Sequence, residues 1–264
     1  MRILLLVALF VAHSILTNAQ TITYVGNMGV LISGDSTSIL IDGLHKEYKP
    51  AYQYPPKSLV DELIGTEKAY QPPIRYILNT HIHKDHFDAE LIVEFMQHNA
   101  EAVLFGTAQM AEELKQAGFP GESTSGIQTI TTDDYSRQTF PFDDLTITTF
   151  FIDHVNPARH SATKNVGYLI EMAEQKILHL GDADLNAAIF EKLGLQQDKI
   201  NVAIIPDWLA MSKTGVQIIR EYIQPEKLII THISPTWAED SKMAVRQFFP
   251  EAVFFTEIKT IFTF

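Results

Sequence analysis

The stretch Ile77–Asp88, ILNTHIHKDHFD, places His81, His83, Asp85 and His86 within six positions directly after an apolar run. In an extended segment side chains two apart point the same way, so His81 and His83 can bind one ion from the end of a strand. Asp85 and His86 come next, where the strand gives way to a helix, and can aim at a second ion beside the first. Asp88 stands just before the helical run AELI, where a carboxylate caps a helix and suits its positive end, so it reads as structural. A lone histidine more often packs or faces solvent than binds metal. Three with an aspartate at H-x-H-x-D-H spacing, behind a buried strand, match the ligands zinc prefers.

A two-metal site needs further ligands, and these belong at the ends of later strands, where loops on a rigid sheet carry chemistry. His154 closes TITTFFIDH, Asp182 closes KILHLGD and His232 closes KLIITH. His160, six residues beyond His154, is the rival third ligand of the first ion. His179 lies inside a strand three before Asp182, faces away from it by alternation, and reads as packing. His45, His98 and Asp184 read as surface or loop residues. Trp208 and Met211, in the loop expected after VAIIPD, either wall the pocket or pack in the core.

Working outward, TITYVGNMGVLISGDSTSILIDG reads as short strands separated by Gly, Asn, Asp and Ser turns. A Pro- and Tyr-rich connection, HKEYKPAYQYPPKSLVDELI, leads into a short helix and suits a site-lining loop. IRYILNT is a buried strand, DAELIVEFMQHN a helix with Leu91, Ile92, Phe95 and Met96 on one stripe, and AVLFG a strand. AQMAEELKQAG is a helix stopped by Gly118. From Gly126 the strands IQTI, LTITTFFIDH, VGYLIEM and KILHLGD succeed one another, with AEQ as a hairpin turn. The tail alternates helix LNAAIFEKLG, strand VAIIPDW, helix TGVQIIREYI, strand KLIITHI, helix EDSKMAVRQFF and one closing β segment, AVFFTEIKTIFTF. With no repeat and no low-complexity linker, one domain over residues 20–264 is expected, with two sheets and helices outside.

Residues 1–19 have the order of a secretory signal peptide: Arg2, an apolar run from Ile3 to Val11, then small or polar residues before Gln20. The run is short of the roughly 20 apolar residues that span a bilayer. A secreted or periplasmic protein, free of the membrane after cleavage, is the expectation. The chain has no cysteine, so any metal must be held by His, Asp, Glu and water. Its formal net charge of −12, one unit more negative without Arg2, argues against nucleic acid as a partner.

The H-x-H-x-D-H, Gly-Asp and terminal Thr-His elements, in that order, resemble the metallo-β-lactamase superfamily. The resemblance runs from GVLISGDSTSILIDG through THIHKDH and NVGYLIEMAEQKILHLGD to IITHISP. It implies an α+β fold, a four-layer αββα sandwich, with two divalent metal ions at one edge of the sheets. By matching position, His81, His83 and His154 would hold one ion and Asp85, His86 and His232 the other. Asp182 would bridge both, opposite a shared hydroxide. The metals would be zinc first, with manganese or iron as alternatives. The superfamily places the third ligand at a strand end, which favours His154 and leaves His160 for substrate or proton transfer. Asp42 resembles the superfamily's buried aspartate behind the metals, although it could simply end its strand.

Hydrolysis is the implied reaction, with the metal-bridging hydroxide as nucleophile, Asp85 taking its proton and His160 protonating the leaving group. The bridging aspartate argues against β-lactam hydrolysis. The NVGYLIEM…HLGD hairpin and THISP ending look closest to the ascorbate-6-phosphate lactonase-like branch, which implies a small-molecule lactone or phosphodiester. A thioesterase-like hydrolase and an exported metal-binding module without turnover are the alternatives. Iron redox relatives usually replace one histidine by glutamate, which HIHKDH does not.

Overall fold

Period-two alternation over short β-branched runs builds two seven-stranded sheets, in a computed structural model that describes residues 20–65, 70–120, 126–131 and 134–264. The expected leader, residues 1–19, lies outside the described residues. The first sheet contains β1 (Thr21–Gly26), β2 (Gly29–Ser33), β3 (Ser38–Ile41), β4 (Ile74–Leu78), β5 (Val103–Thr107) and β6 (Ile127–Ile130), in sequence order across the sheet. The second contains β7 (Arg137–Pro141), β8 (Leu145–Asp153), β9 (Lys164–Met172), β10 (Gln175–His179), β11 (Val202–Pro206), β12 (Lys227–Thr231) and β13 (Val253–Phe254). The last strand, β14 (Ile261–Thr263), returns to the first sheet and pairs antiparallel with β1.

Alternation then sorts side chains into three cores. Val30, Ile32, Ile39, Ile41, Ile147, Tyr168, Ile177 and Ile204 point between the sheets. Their neighbours Leu31 and Leu40 point outward to α1 (Lys57–Ile64), α2 (Ala89–His98) and α3 (Ala108–Gln116). On the far side Leu178, Ala203, Ile205 and Ile230 meet α5 (Ala187–Leu193), α6 (Asp207–Met211), α7 (Lys213–Ile218) and α8 (Ala238–Arg246). The layers therefore run αββα, as the sequence leads one to expect. α7 continues through a π-helical turn, Ile219–Ile223, that closes on left-handed Gln224.

Strand direction positions the site. The pairs from β3 to β6 and from β10 to β13 are parallel, and two antiparallel steps through β9 make β8 parallel to β10. The carboxyl ends of β4, β8, β10 and β12 consequently share one edge of the sandwich, where open sheets present their sites.

Four local expectations need correction. The closing β segment is split between the two sheets, with Phe255 in the inter-sheet core at the crossing. The strand at Arg137–Pro141 carries little signal in the sequence because, as the edge of its sheet, it alternates exposed and half-buried residues and sends only the Phe140 ring toward the core. Val93, not Leu91, completes the buried stripe of α2. Trp208 and Met211 sit on α6 rather than in a loop, because the chain turns helical at Asp207, directly after β11.

Candidate metal centre

His81 and His83 come from the irregular segment between the end of β4 and the turn at residues 84–86. They nonetheless converge, with His81 Nε2 3.0 Å from His83 Nδ1. His154, at the end of β8, brings its Nε2 to 3.1 Å from the same His83 nitrogen. Asp182 completes this first group, while Asp85, His86 and His232 form a second, and in each group the ligand atoms lie within 4.8 Å of one another. Asp182 also reaches across: its carboxylate oxygens stand 3.5 Å from His154 Nε2, 3.3 Å from His86 Nε2 and 3.4 Å from His232 Nε2. Asp182 thus stands between the two donor groups and touches both.

The ring nitrogens turned away from this centre are largely committed. His86 Nδ1 lies 2.9 Å from Asp42 Oδ2, and His154 Nδ1 lies 2.7 Å from the Val155 carbonyl. The Thr80 hydroxyl donates to Asp42 at 2.6 Å and lies 3.0 Å from His81 Nδ1, which can donate to it in turn. Each partner is an acceptor, so each ring carries its proton on Nδ1 and leaves Nε2 as a lone-pair donor facing inward. Asp42 is fully buried with a left-handed backbone (φ 46°), and it serves as the orienting carboxylate expected of it.

Electrostatics points the same way. Burial disfavours charge on Asp85 and Asp182. Even so, His86 and His232 beside them hold Asp85 down to about 2 and Asp182 well below the usual carboxylate range. Burial likewise opposes protonation of His86 and His232, yet the facing carboxylates, Asp182 foremost, raise His86 well above its usual value and His232 to about 9. The two buried carboxylates thus demand positive charge close by, supplied either by protons on His86 and His232 or by cations that displace those protons and free the Nε2 lone pairs. Asp182 Oδ1 and His232 Nε2 are buried without a hydrogen-bond partner. Orphaned polar atoms in a convergent His and Asp set fit divalent cations of the zinc type, and the chain offers no thiolate to select otherwise.

Three supporting residues carry no signal in the sequence. Asn27, in the left-handed turn after β1, donates to Asp85 Oδ2 at 3.0 Å. Thr80 links His81 to Asp42, as above. Asn165 accepts from the Asp182 backbone N–H at 3.2 Å and donates to the Leu180 carbonyl at 3.0 Å, so it aims the Gly181–Asp182 turn.

Other candidates fall around the centre. His160, closing the short helix α4 (Pro157–His160), joins neither donor group but stands with ring centroids 4.6 Å from His154 and 4.9 Å from His83. Asp88 caps α2, accepting from the Leu91 N–H at 3.0 Å. His179 is buried and packs against the Met28 carbonyl at 3.0 Å. His98 is exposed and Asp184 half-buried, in keeping with surface or loop roles. His45 is not a surface residue: it is fully buried, because the loop carrying it is tied to the start of α2 by the Asp88 N–H bond to the Leu44 carbonyl. Of the two α6 residues, Trp208 lines the cleft above the centre, while Met211 packs into the outer core.

A family model described as a beta-lactamase superfamily domain matches residues 57–237. No curated protein sequence matches the chain. Solved structures resemble it in fold. A metallo hydrolase from the archaeon Ignicoccus hospitalis is 18% identical, with 94% of this chain and 99% of that one covered and a TM-score of 0.60. A metallo-beta-lactamase fold protein from Bacillus subtilis is 12% identical, with 93% and 99% covered and a TM-score of 0.63. The short form of human tRNase Z is 13% identical, with 92% and 98% covered and a TM-score of 0.59.

Proposed function

The chain belongs to the beta-lactamase superfamily, and from that membership we propose that it is a dinuclear metal-dependent hydrolase of a small-molecule lactone or phosphodiester. The observation that carries the reading is Asp182, whose carboxylate lies within 3.5 Å of nitrogens from both donor groups. His81, His83 and His154 would hold one ion, Asp85, His86 and His232 the other, with Asp182 between them and zinc as the first choice of metal. Divalent cations so held supply a lowered pKa for water and polarisation of the attacked oxygen.

The chain's own groups do the rest. Asp85, held as a carboxylate and bonded by Asn27, would accept the proton of the attacking water. His160, beside His83 and His154 at the cleft wall, is placed to return a proton to the departing oxygen as the C–O or P–O bond breaks. Asp42 and Thr80 keep the imidazoles in one tautomer, so that the donor set needs little reorganisation when it binds. Export through the first 19 residues is part of the proposal and is supported by their sequence alone.

Metal analysis of the purified protein, together with assay of phosphodiesters, lactones, thioesters and a chromogenic β-lactam, tests this reading. The expected result is about two metals per chain, turnover of an ester-type substrate that His83→Ala abolishes, and little β-lactam cleavage. Fast β-lactam hydrolysis with no ester or phosphodiester cleaved would overturn it.

A further inference from the structure

The cleft above the donor groups, with a volume of about 530 Å³, carries chemistry that the hydrolytic step does not use. Lys49, Lys84 and Arg159 line it, from three separate segments: the loop after β3, the turn after β4, and α4. All three are exposed, and none forms an ion pair among the described residues. Lys46, Lys57, Arg75, Arg137, Lys242 and Lys259 each hold a carboxylate, whereas other exposed cations such as Lys115, Lys199 and Lys213 are as open as these three, so what distinguishes Lys49, Lys84 and Arg159 is that they share one cleft. With 32 acidic residues against 20 basic ones, partners for three more cations are plentiful on this surface. The carboxylates of Asp85 and Asp182 lie on the floor of the same cleft, and Lys49 is held in its charged form chiefly by the Tyr48 side chain, which outweighs the opposing charge of Arg159. The three side chains therefore stay charged and open to an anion that enters the cleft.

The walls between these cations are aromatic and fixed. The rings of Tyr48 and Tyr52 stack at 6.0 Å and 9°. Tyr52 meets His232 edge-on at 5.5 Å, and Trp208 meets it at 4.8 Å. The Trp208 indole N–H is held by the Ala183 carbonyl at 2.9 Å, which sets the plane of the ring. Arg159 rides on a segment held at both ends, by the Val155 N–H bond to the Asp182 carbonyl and the Gln109 side-chain bond to the Ala162 carbonyl.

We propose that the substrate carries a carboxylate or phosphate group remote from the bond that is cut, that Lys49 and Arg159 bind this group, and that Tyr52 and Trp208 flank the body of the molecule. That the bound molecule is a substrate rests on the hydrolase reading; the anion site rests on the cations and walls alone. The site selects small anions, since the cleft holds a drug-sized molecule and the surrounding surface repels long polyanions. Arg159 supplies a planar fork for two oxygens and Lys49 a point charge beside it.

Calorimetric titration of the zinc-loaded protein with phenylphosphonate, benzoate and neutral benzamide tests the site. One or both anions should bind and benzamide should not; which anion binds identifies the head group. The double variant Lys49→Gln, Arg159→Gln should weaken anion binding roughly tenfold to a hundredfold with metal content unchanged, and added salt should act in the same direction. Affinity unchanged in the double variant would show that the metal centre alone holds the anion and would overturn the proposal, as would the absence of binding by either anion. Anion binding that depends on Lys49 and Arg159, with no member of the hydrolase panel turned over, would instead refute the hydrolase and leave the anion site standing.

Discussion

Replacing Gly181 by alanine tests how the Asp182 carboxylate is aimed. Gly181 has φ +56°, and a Cβ there would run into Asn165 Oδ1 and stand 2.7 Å from Cβ of Thr80. A left-handed backbone costs an L-residue about 1–2 kcal/mol. Forcing atoms into filled space costs about 1–3 kcal/mol more. The two neighbours are the residues that hold the site, since Asn165 accepts from the Asp182 N–H and Thr80 bridges His81 and Asp42. Gly181→Ala should therefore lose about 2–5 kcal/mol and also lower metal content. Gly194→Ala is the control: φ is +65°, but the nearest atom to its Cβ is Gln197 Nε2 at 3.8 Å, so only the backbone cost applies. Urea unfolding of both metal-stripped variants gives the clash as their difference, and elemental analysis of the loaded proteins reads the site. Equal destabilisation, with full metal content in both, would refute the claim that Asn165 and Thr80 clamp this turn.

Four other substitutions test the donor groups and the helix beside them. His154→Ala should lower metal stoichiometry whereas His160→Ala should leave it near the wild-type value, and the reverse result in elemental analysis would mean the third ligand is misassigned. Asp42→Ala removes the acceptor of the Thr80 N–H, the Thr80 hydroxyl and His86 Nδ1; metal affinity, measured by competition with a chromophoric chelator, should drop about tenfold to a hundredfold, and an unchanged affinity would remove Asp42 from the site. Asp207, held by Ser241 at 2.8 Å, has its pKa raised, chiefly by burial, so its ionised form destabilises the fold above the folded pKa and that penalty fades as pH falls through the carboxylate range. Asp207→Asn should accordingly unfold at higher urea than the wild type at neutral pH, with the gap closing in acid when both are metal-stripped; a gap independent of pH would refute the assignment.

The proposed ligands are legible in the sequence for a specific reason. His154, Asp182 and His232 are polar residues that stop apolar runs, and parallel strands then deliver their ends to one edge. Strand alternation groups His81 and His83 for an incomplete reason, because β4 ends at Leu78 and both residues lie in the irregular segment beyond it, where their ring nitrogens still meet at 3.0 Å. Asn27 and Asn165 cannot be read at all: the first meets Asp85 from 58 residues away, and Asn and Thr are ordinary residues of turns and strands until the chain closes. His45 misleads because LHKEYK looks solvated throughout, while the fold buries Leu44 and His45 under the loop and exposes only residues 46–50 beyond them.

The floor of the site and its mouth therefore differ in how they can be known. The floor is built from sheet ends, and the sheet obeys a two-residue period, so a sequence that supplies strands also determines which polar residues end them. The mouth is built from the loop after β3 and from α4, which obey no period, and its cations and rings come together only through contacts such as Tyr52 on His232 and Trp208 on Ala183. On the proposed reading the hydrolytic chemistry would reside in the floor and selection among substrates in the mouth, since a fold by itself does not fix a function. Substitutions at Lys49 and Arg159 should accordingly change which molecules bind without moving metal content, and substitutions at Asp42 or Asp182 should do the opposite.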